Sequence, residues 1–287
     1  MFAITQVLPE LPEFTIVDAG PSHPGTPQRW QGLLDSGTTR VVGFEALPDT
    51  CADLRAAAGH SQSFLPLAIG DGTQRTLYRT AFPGCSSLYE PNRAFLRLFR
   101  NMARPFEVVA TEHVETRRLD DVEALQVSGC DLMNLDIFGA AHDALAHAQR
   151  LLQGNTMVHV KVPLTPIHLD QPMLGEVDTV LRRSGFIVHR YLQSTRATIE
   201  HPSLDGEPGD YLNQELWAEI VYVKDFTYAA SLPAALWVKL GVLAHELYQA
   251  YDLAHRAFAH ADARSGDDIA RRYLAAFEAA TLKEEAT

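Results

Sequence analysis

Four apolar runs of this chain each stop on a residue that can do chemistry. FTIVDAG delivers Asp18 and Gly20, VVGFE delivers Glu45, LPLAIGD delivers Asp71, and CDLMNLD delivers Asp136. A carboxylate closing the second strand of an open α/β sheet can accept hydrogen bonds from a ribose diol. A glycine after the first strand lets a ligand approach the backbone closely. Asp18, Gly20 and Glu45 together therefore fit an adenosine-bearing cofactor. The plainer reading is that each carboxylate caps the helix that follows it. The loop after Gly20 narrows the choice of cofactor, because Pro21, Pro24 and Pro27 offer no backbone N–H to cradle the pyrophosphate of a dinucleotide. S-adenosylmethionine carries no phosphate and makes no such demand.

Beyond Asp136, the segment DIFGAAHDAL sets His142 at the start of a helix in the crevice region, where it could act as a base; a solvated helix histidine is the alternative. Asp136, His142 and Asp143 could supply metal ligands, but they lack the spacing of a recognisable metal motif, and no metal is expected. Ser86 with His142 and Asp136 has the residue types of a hydrolase triad. No G-x-S-x-G elbow accompanies them, so Ser86 and Ser87 read as loop hydrogen-bond donors.

The elements that must position these groups alternate along the chain. Strand-like FTIV is followed by RWQGLLDSG, RVVGFEA by DTCADLRAAAGH, and SFLPLAIGD closes the first half. After a looser stretch come CDLMNLD, helical AAHDALAHAQRLL, strand MVHVKV, helical MLGEVDTVLRRSG and strand FIVHRYL. ELWAEIVYVKD then suggests an antiparallel edge strand. This is the series of a doubly wound α/β sheet. Between Gly84 and Asp120, CSSLYEPN reads as loop, RAFLRLFRNM as helix and FEVVATEHVETRRLDDV as a strand running into a short helix. So long an excursion commonly covers a ligand crevice. From Leu232 the pattern is helical, with Leu236, Leu240, Leu243, Leu247 and Tyr251 at spacings of three and four. A helix hairpin packed on the main domain accounts for that face; a homodimer contact through these helices is the alternative.

At 287 residues and 46% hydrophobic, the chain can bury a large core. A formal charge of −12 with no basic stripe argues against nucleic acid as a partner. No long apolar run predicts a membrane span and no basic-then-apolar leader opens the sequence, so a cytoplasmic location is the expectation. Cys51, Cys85 and Cys130 stand far apart and read as reduced, structural thiols.

The ordered set VDAG, VVGFEALPDTCADLR, LPLAIGDGTQRTLYRT, GCSSLYEPN, RRLDDV, DLMNLDIFGAAHDAL, PLTPIHLDQPMLGEVDTVLRRSGF and ELWAEIVYVKD resembles the FkbM-type methyltransferases over about residues 10–230. The resemblance implies a class I methyltransferase-like, Rossmann-like sheet of seven strands with the last antiparallel, spanning residues 1–230, and a helical extension over 231–287. It implies S-adenosylmethionine as cofactor and O-methylation of a sugar, polysaccharide or other small hydroxylated acceptor. By the same resemblance Asp18 and Gly20 lie at the methionine end of the cofactor, Glu45 binds its ribose, and Ala68, Ile69 and Asp71 border the adenine. Asp136 ends the fourth strand near the sulfonium, and Ser86 and Ser87 stand on the covering loop.

The departures from that family pattern fall on the acceptor side. Asn134 replaces a usual lysine, Phe138 and Ala141 stand where Gln and Glu are expected, Lys161 replaces a strand-ending Glu, and His168 replaces a tyrosine. A neutral hydroxyl needs help to attack, so Asp136, His142 and His168 are the candidate catalytic bases. Two other readings stay open: a binding or scaffold protein that kept the fold but lost turnover, and a dinucleotide-dependent oxidoreductase, which lacks its G-x-G-x-x-G.

Overall fold

Strand β1 (Phe14–Ala19) is buried along its whole length, which a strand achieves only when both faces of its sheet are covered. In the computed structural model, which describes residues 2–20, 28–127, 129–200, 213–227 and 232–285, that is the arrangement found. The proline loop that follows Gly20 lies outside the described residues. After it come α1 (Gln31–Asp35), β2 (Thr39–Phe44), α2 (Pro48–Ala57), β3 (Gln62–Leu65), β4 (Ala68–Ile69) and β5 (Gln74–Thr80). Next are α3 (Arg93–Leu96), β6 (Val108–Arg117), β7 (Leu132–Leu135), α4 (Ala141–Ala146), α5 (Gln149–Gly154), β8 (Met157–Pro163) and α6 (Leu174–Arg183). The chain ends with β9 (Phe186–Thr198), β10 (Asn213–Lys224), α7 (Ala234–Tyr248), α8 (Tyr251–Ser265) and α9 (Ile269–Glu285).

Seven strands form the main sheet in the order β3-β2-β1-β7-β8-β10-β9. The first five are parallel, and β10 runs antiparallel to both β8 and β9. The expected antiparallel strand is therefore β10, one place in from the rim, which β9 occupies. The strand order reverses direction between β1 and β7, and a ligand crevice opens beyond the carboxyl ends of the strands at such a switch point.

The period-2 alternation of each strand divides the core in two. Phe14, Ile16, Val41, Leu132, Met157, Val221 and Val223 face the helices α7, α8 and α9. Val17, Ala19, Met133, Leu135, Val158, Val160 and Ile220 face α4, α5 and α6. The carboxyl-terminal helices thus form one whole layer over the sheet, with Trp237, Leu240, Leu243 and Phe258 fully buried against it. Leu274, Phe277 and Leu282 of α9 remain exposed.

Three elements differ from the sequence reading. The run SFLPLAIGD divides: β3 joins the main sheet, while β4 turns away into a second, three-stranded sheet ordered β4-β6-β5. RAFLRLFRNM is helical for only the four residues of α3, because Phe99 bridges to Ile199 and the Arg100 N–H donates to the Thr198 carbonyl instead of continuing the helix. The single helix expected after Asp136 breaks into α4 and α5 at His147 and Ala148. Cys51, Cys85 and Cys130 are buried and free. Among the described residues, no helix is long and apolar enough to cross a membrane.

Candidate active site

A cavity of about 460 Å³ opens at the carboxyl ends of β1, β2 and β7. Its floor is set by one close backbone approach. Gly20 has φ +75°, and a Cβ there would stand 2.2 Å from the carbonyl oxygen of Asp136. Only glycine permits both the left-handed conformation and this contact. The β1 and β7 ends are also tied by the Asp136 N–H, which donates to the Ala19 carbonyl at 2.8 Å.

Glu45 ends β2 on one wall, half-buried, where the Leu47 N–H donates to its Oε1 at 2.8 Å. Leu47, Ala68, Ile69 and Leu77 make that wall apolar. The roof is the 82–88 segment, so the excursion read as a cover does close over the crevice. Ser87 pins it, donating through Oγ to the Phe138 carbonyl at 2.6 Å and accepting from the Tyr89 N–H at 3.0 Å. Ser86 Oγ accepts from the Thr80 N–H at 3.2 Å. Burial raises the Cys85 thiol to about 11, against a lowering pull from Lys161.

The far end is aromatic and charged. Phe138 and Trp217 meet edge to face at 5.2 Å, and Phe82 of the covering segment also lines the cavity. Lys161, from β8, lies 4.9 Å from the Phe138 ring centre and is ion-paired to Oδ1 of Asp136. Lys161 and Asp136 also line a second, polar cavity of about 460 Å³ on the α7 side of the sheet, shared with Asp18, Arg29, His159 and Glu219. The two chambers therefore meet at one ion pair.

The second chamber is a ladder of polar groups on one face of neighbouring strands. Asp18 is buried and accepts from Asn134 Nδ2 at 2.7 Å. Burial raises its carboxyl to about 7, with the charge of Asp136 adding to the rise and the Asn134 bond opposing it. His159 lies 3.2 Å from Glu219 and 3.3 Å from the Tyr248 hydroxyl. The bond to His159 holds the Glu219 carboxyl down at about 2.

The residues singled out in the sequence divide accordingly. Gly20, Glu45, Ala68, Ile69, Ser86, Ser87 and Asp136 surround the first cavity, and Asp18 lines the second. Asp71 lines neither: it accepts from the N–H and hydroxyl of Thr73 and from Thr116, and pairs with Arg75. Against the upward pull of burial, these partners hold it at about 2. His142 also lies off both linings, 3.2 Å from Asp143, whose carboxylate takes the Tyr89 hydroxyl at 2.8 Å. His168 is buried behind Phe138 and bonded to Gln171 at 2.8 Å, and burial lowers its imidazole to about 4.

Sequence reasoning missed Trp217, Glu219 and His159 and saw Lys161 only as a departure. The available signal was the alternation in MVHVKV and ELWAEIV, which puts His159, Lys161 and Glu219 on one face. Lys161 and Glu219 are register partners in β8 and β10.

The model of the methyltransferase FkbM domain family matches residues 23–188, more than half of the chain. No functionally curated protein matches. Among solved structures, the chain is similar to a magnesium protoporphyrin IX methyltransferase (ChlM) from Synechocystis with bound SAM, at 11% identity and TM-score 0.37, covering 77% of this chain and 76% of that one. It is also similar to a TehB-like SAM-dependent methyltransferase from Corynebacterium glutamicum, at 12% identity and TM-score 0.36, covering 78% and 89%. Likeness at this level says nothing about the chemistry of this chain's own side chains.

Proposed function

Because the chain belongs to the FkbM methyltransferase domain family and is a methyltransferase, we propose that it takes S-adenosylmethionine as cofactor and methylates a hydroxyl of a small or saccharide acceptor. The observation that carries this reading is the meeting of Gly20, Glu45, Asp136 and Lys161 around one cavity at the switch point of the sheet. About 460 Å³ lies within the roughly 300–1,000 Å³ typical of small-molecule sites. The residues fit the group: Glu45 offers a carboxylate to a ribose diol, and Leu47, Ala68 and Ile69 offer an apolar slot to an adenine. Gly20 lets the ends of β1 and β7 close together at the cavity, with Asp18 and Arg29 beyond it for the charged methionine end. Bound there, the cofactor supplies an electrophilic methyl group on a sulfonium sulfur.

The remaining work falls to the aromatic end. Phe138 and Trp217 exclude water and orient the acceptor. Asp136 engages Lys161 through Oδ1, which leaves Oδ2 to take the hydroxyl proton, and the Lys161 ammonium steadies negative charge growing on the acceptor oxygen. His168, off the lining, acts as a positioning residue behind Phe138, while His142 pairs with Asp143 away from both cavities. The exposed apolar side chains of α9 support pairing of two copies through the carboxyl-terminal helices. The test of the catalytic reading is transfer of a labelled methyl group to a panel of hydroxylated acceptors by the wild type and by Asp136→Asn. Transfer by the first and a fall of about 10²-fold or more in the second is expected; an unaffected variant removes Asp136 from the chemistry.

A further inference from the structure

The segment RAFLRLFRNMAR carries Arg93, Arg97, Arg100 and Arg104 within twelve residues and no acid, in a chain whose net charge is −12. Three of these side chains converge. Arg93, Arg97 and Arg104 line a groove of about 320 Å³ whose apolar wall is Leu96 and Phe106 and whose lone acid is Glu107. All three arginines are exposed, and among the described residues none of their guanidinium groups has a hydrogen-bond or ion-pair partner. Three cations against one carboxylate leave a net charge of +2 in the groove.

The groove adjoins the aromatic end of the first cavity. The Phe106 ring stands 5.8 Å from Phe138 and 6.4 Å from Trp217, both of which line the cavity. One buried aromatic ring therefore separates the groove, with its net charge of +2, from the end of the cavity assigned to the acceptor. Planar guanidinium forks match the oxygens of a tetrahedral oxyanion bidentately, where a lysine would offer only a point charge.

We propose that the groove binds a dianionic phosphate monoester carried by the acceptor, so that the substrate is a phosphorylated hydroxyl compound that reaches around the buried Phe106 with its free hydroxyl toward Asp136 and Lys161. The acceptor half of this inference rests on the cofactor and hydroxyl assignment made above; the oxyanion half stands on the groove alone. A neutral acceptor would leave the arginines idle, whereas a monoester supplies the two negative charges that the groove lacks.

The test is calorimetric titration of the full chain, with S-adenosylhomocysteine present, using a hexose, its phosphate monoester and inorganic phosphate. The wild type is compared with Arg97→Gln/Arg104→Gln and with Arg93→Gln. The monoester is expected to bind at least about tenfold more tightly than the hexose, with the gain lost in the double variant and reduced in the single one. S-adenosylhomocysteine affinity should stay the same in all three proteins. Equal affinity for hexose and monoester, or a gain that survives the double variant, overturns the proposal. If inorganic phosphate binds as tightly as the monoester, the site serves the free ion and the acceptor assignment falls. Failure of S-adenosylhomocysteine to bind even the wild type would instead count against the cofactor reading, which the phosphate titration does not touch.

Discussion

Replacing Asp18 by Asn should stabilise the protein at neutral pH, and the size of the effect follows from where the carboxyl sits. Asp18 is buried at the end of β1 with Asn134 Nδ2 at 2.7 Å as its hydrogen-bond donor. Burial and the neighbouring charge of Asp136 raise its carboxyl from 3.8 to about 7. The folded chain therefore holds a proton that the unfolded chain has released throughout that window, so stability falls as pH rises from about 4 to about 7. Three units at about 1.36 kcal/mol each give a loss of about 4 kcal/mol at neutral pH. Asparagine keeps an oxygen for Asn134 and never ionises. In urea titrations the two proteins should match within about 1 kcal/mol near pH 4, and Asp18→Asn should lead by about 2–4 kcal/mol near pH 8. A difference that stays flat across this range would refute the account of a carboxyl kept protonated by burial.

Other expectations follow from the same geometry. Gly20→Ala must relieve both a left-handed backbone and a contact of 2.2 Å with the Asp136 carbonyl; a loss of about 1–3 kcal/mol in chemical denaturation is expected, together with weaker cofactor binding. Lys161→Met removes the partner of Asp136 and should lower kcat by about tenfold or more while leaving S-adenosylhomocysteine affinity within about threefold, measured by single-turnover transfer and calorimetry. Lys224 donates to the Leu152 and Ser184 carbonyls, and burial lowers its amine from 10.5 to about 8. At this site the unfolded chain binds more protons between those values, so the stability of the wild type relative to Lys224→Met should rise with pH across that window, the buried thiols titrating alike in both proteins.

The main sheet was legible because its strands are runs of β-branched and apolar residues ended by Asp, Glu or Gly, and that pattern survives into the observed order. In the small sheet β6 lies within a run legible as a strand, but β5 was not legible, because Gln74–Thr80 mixes polar and apolar residues without a clean period. The helix expected over 93–102 follows a real spacing of Phe95, Leu96, Leu98, Phe99 and Met102. It is overridden by pairing with residues almost a hundred positions away, which no local pattern carries. At the site, Gly20 and Glu45 were readable as strand ends. Asp71 has the same signature, but its carboxylate is consumed by the Asp-Gly-Thr turn it closes. The contact of Lys161 with Asp136 depends on the register of β7 against β8, in which Leu135 pairs with Val160, and neither residue's local sequence encodes that register.

The claim that the cavity at the strand ends holds S-adenosylmethionine is tested most directly by calorimetric titration of the wild type and of Glu45→Gln with that cofactor and with S-adenosylhomocysteine. Loss of a charge-assisted hydrogen bond to a ribose hydroxyl costs about 1.5–3 kcal/mol, so affinity should fall by about tenfold to a hundredfold in the variant. Equal affinity in the two proteins, or no binding by the folded wild type at about millimolar ligand, would contradict the assignment.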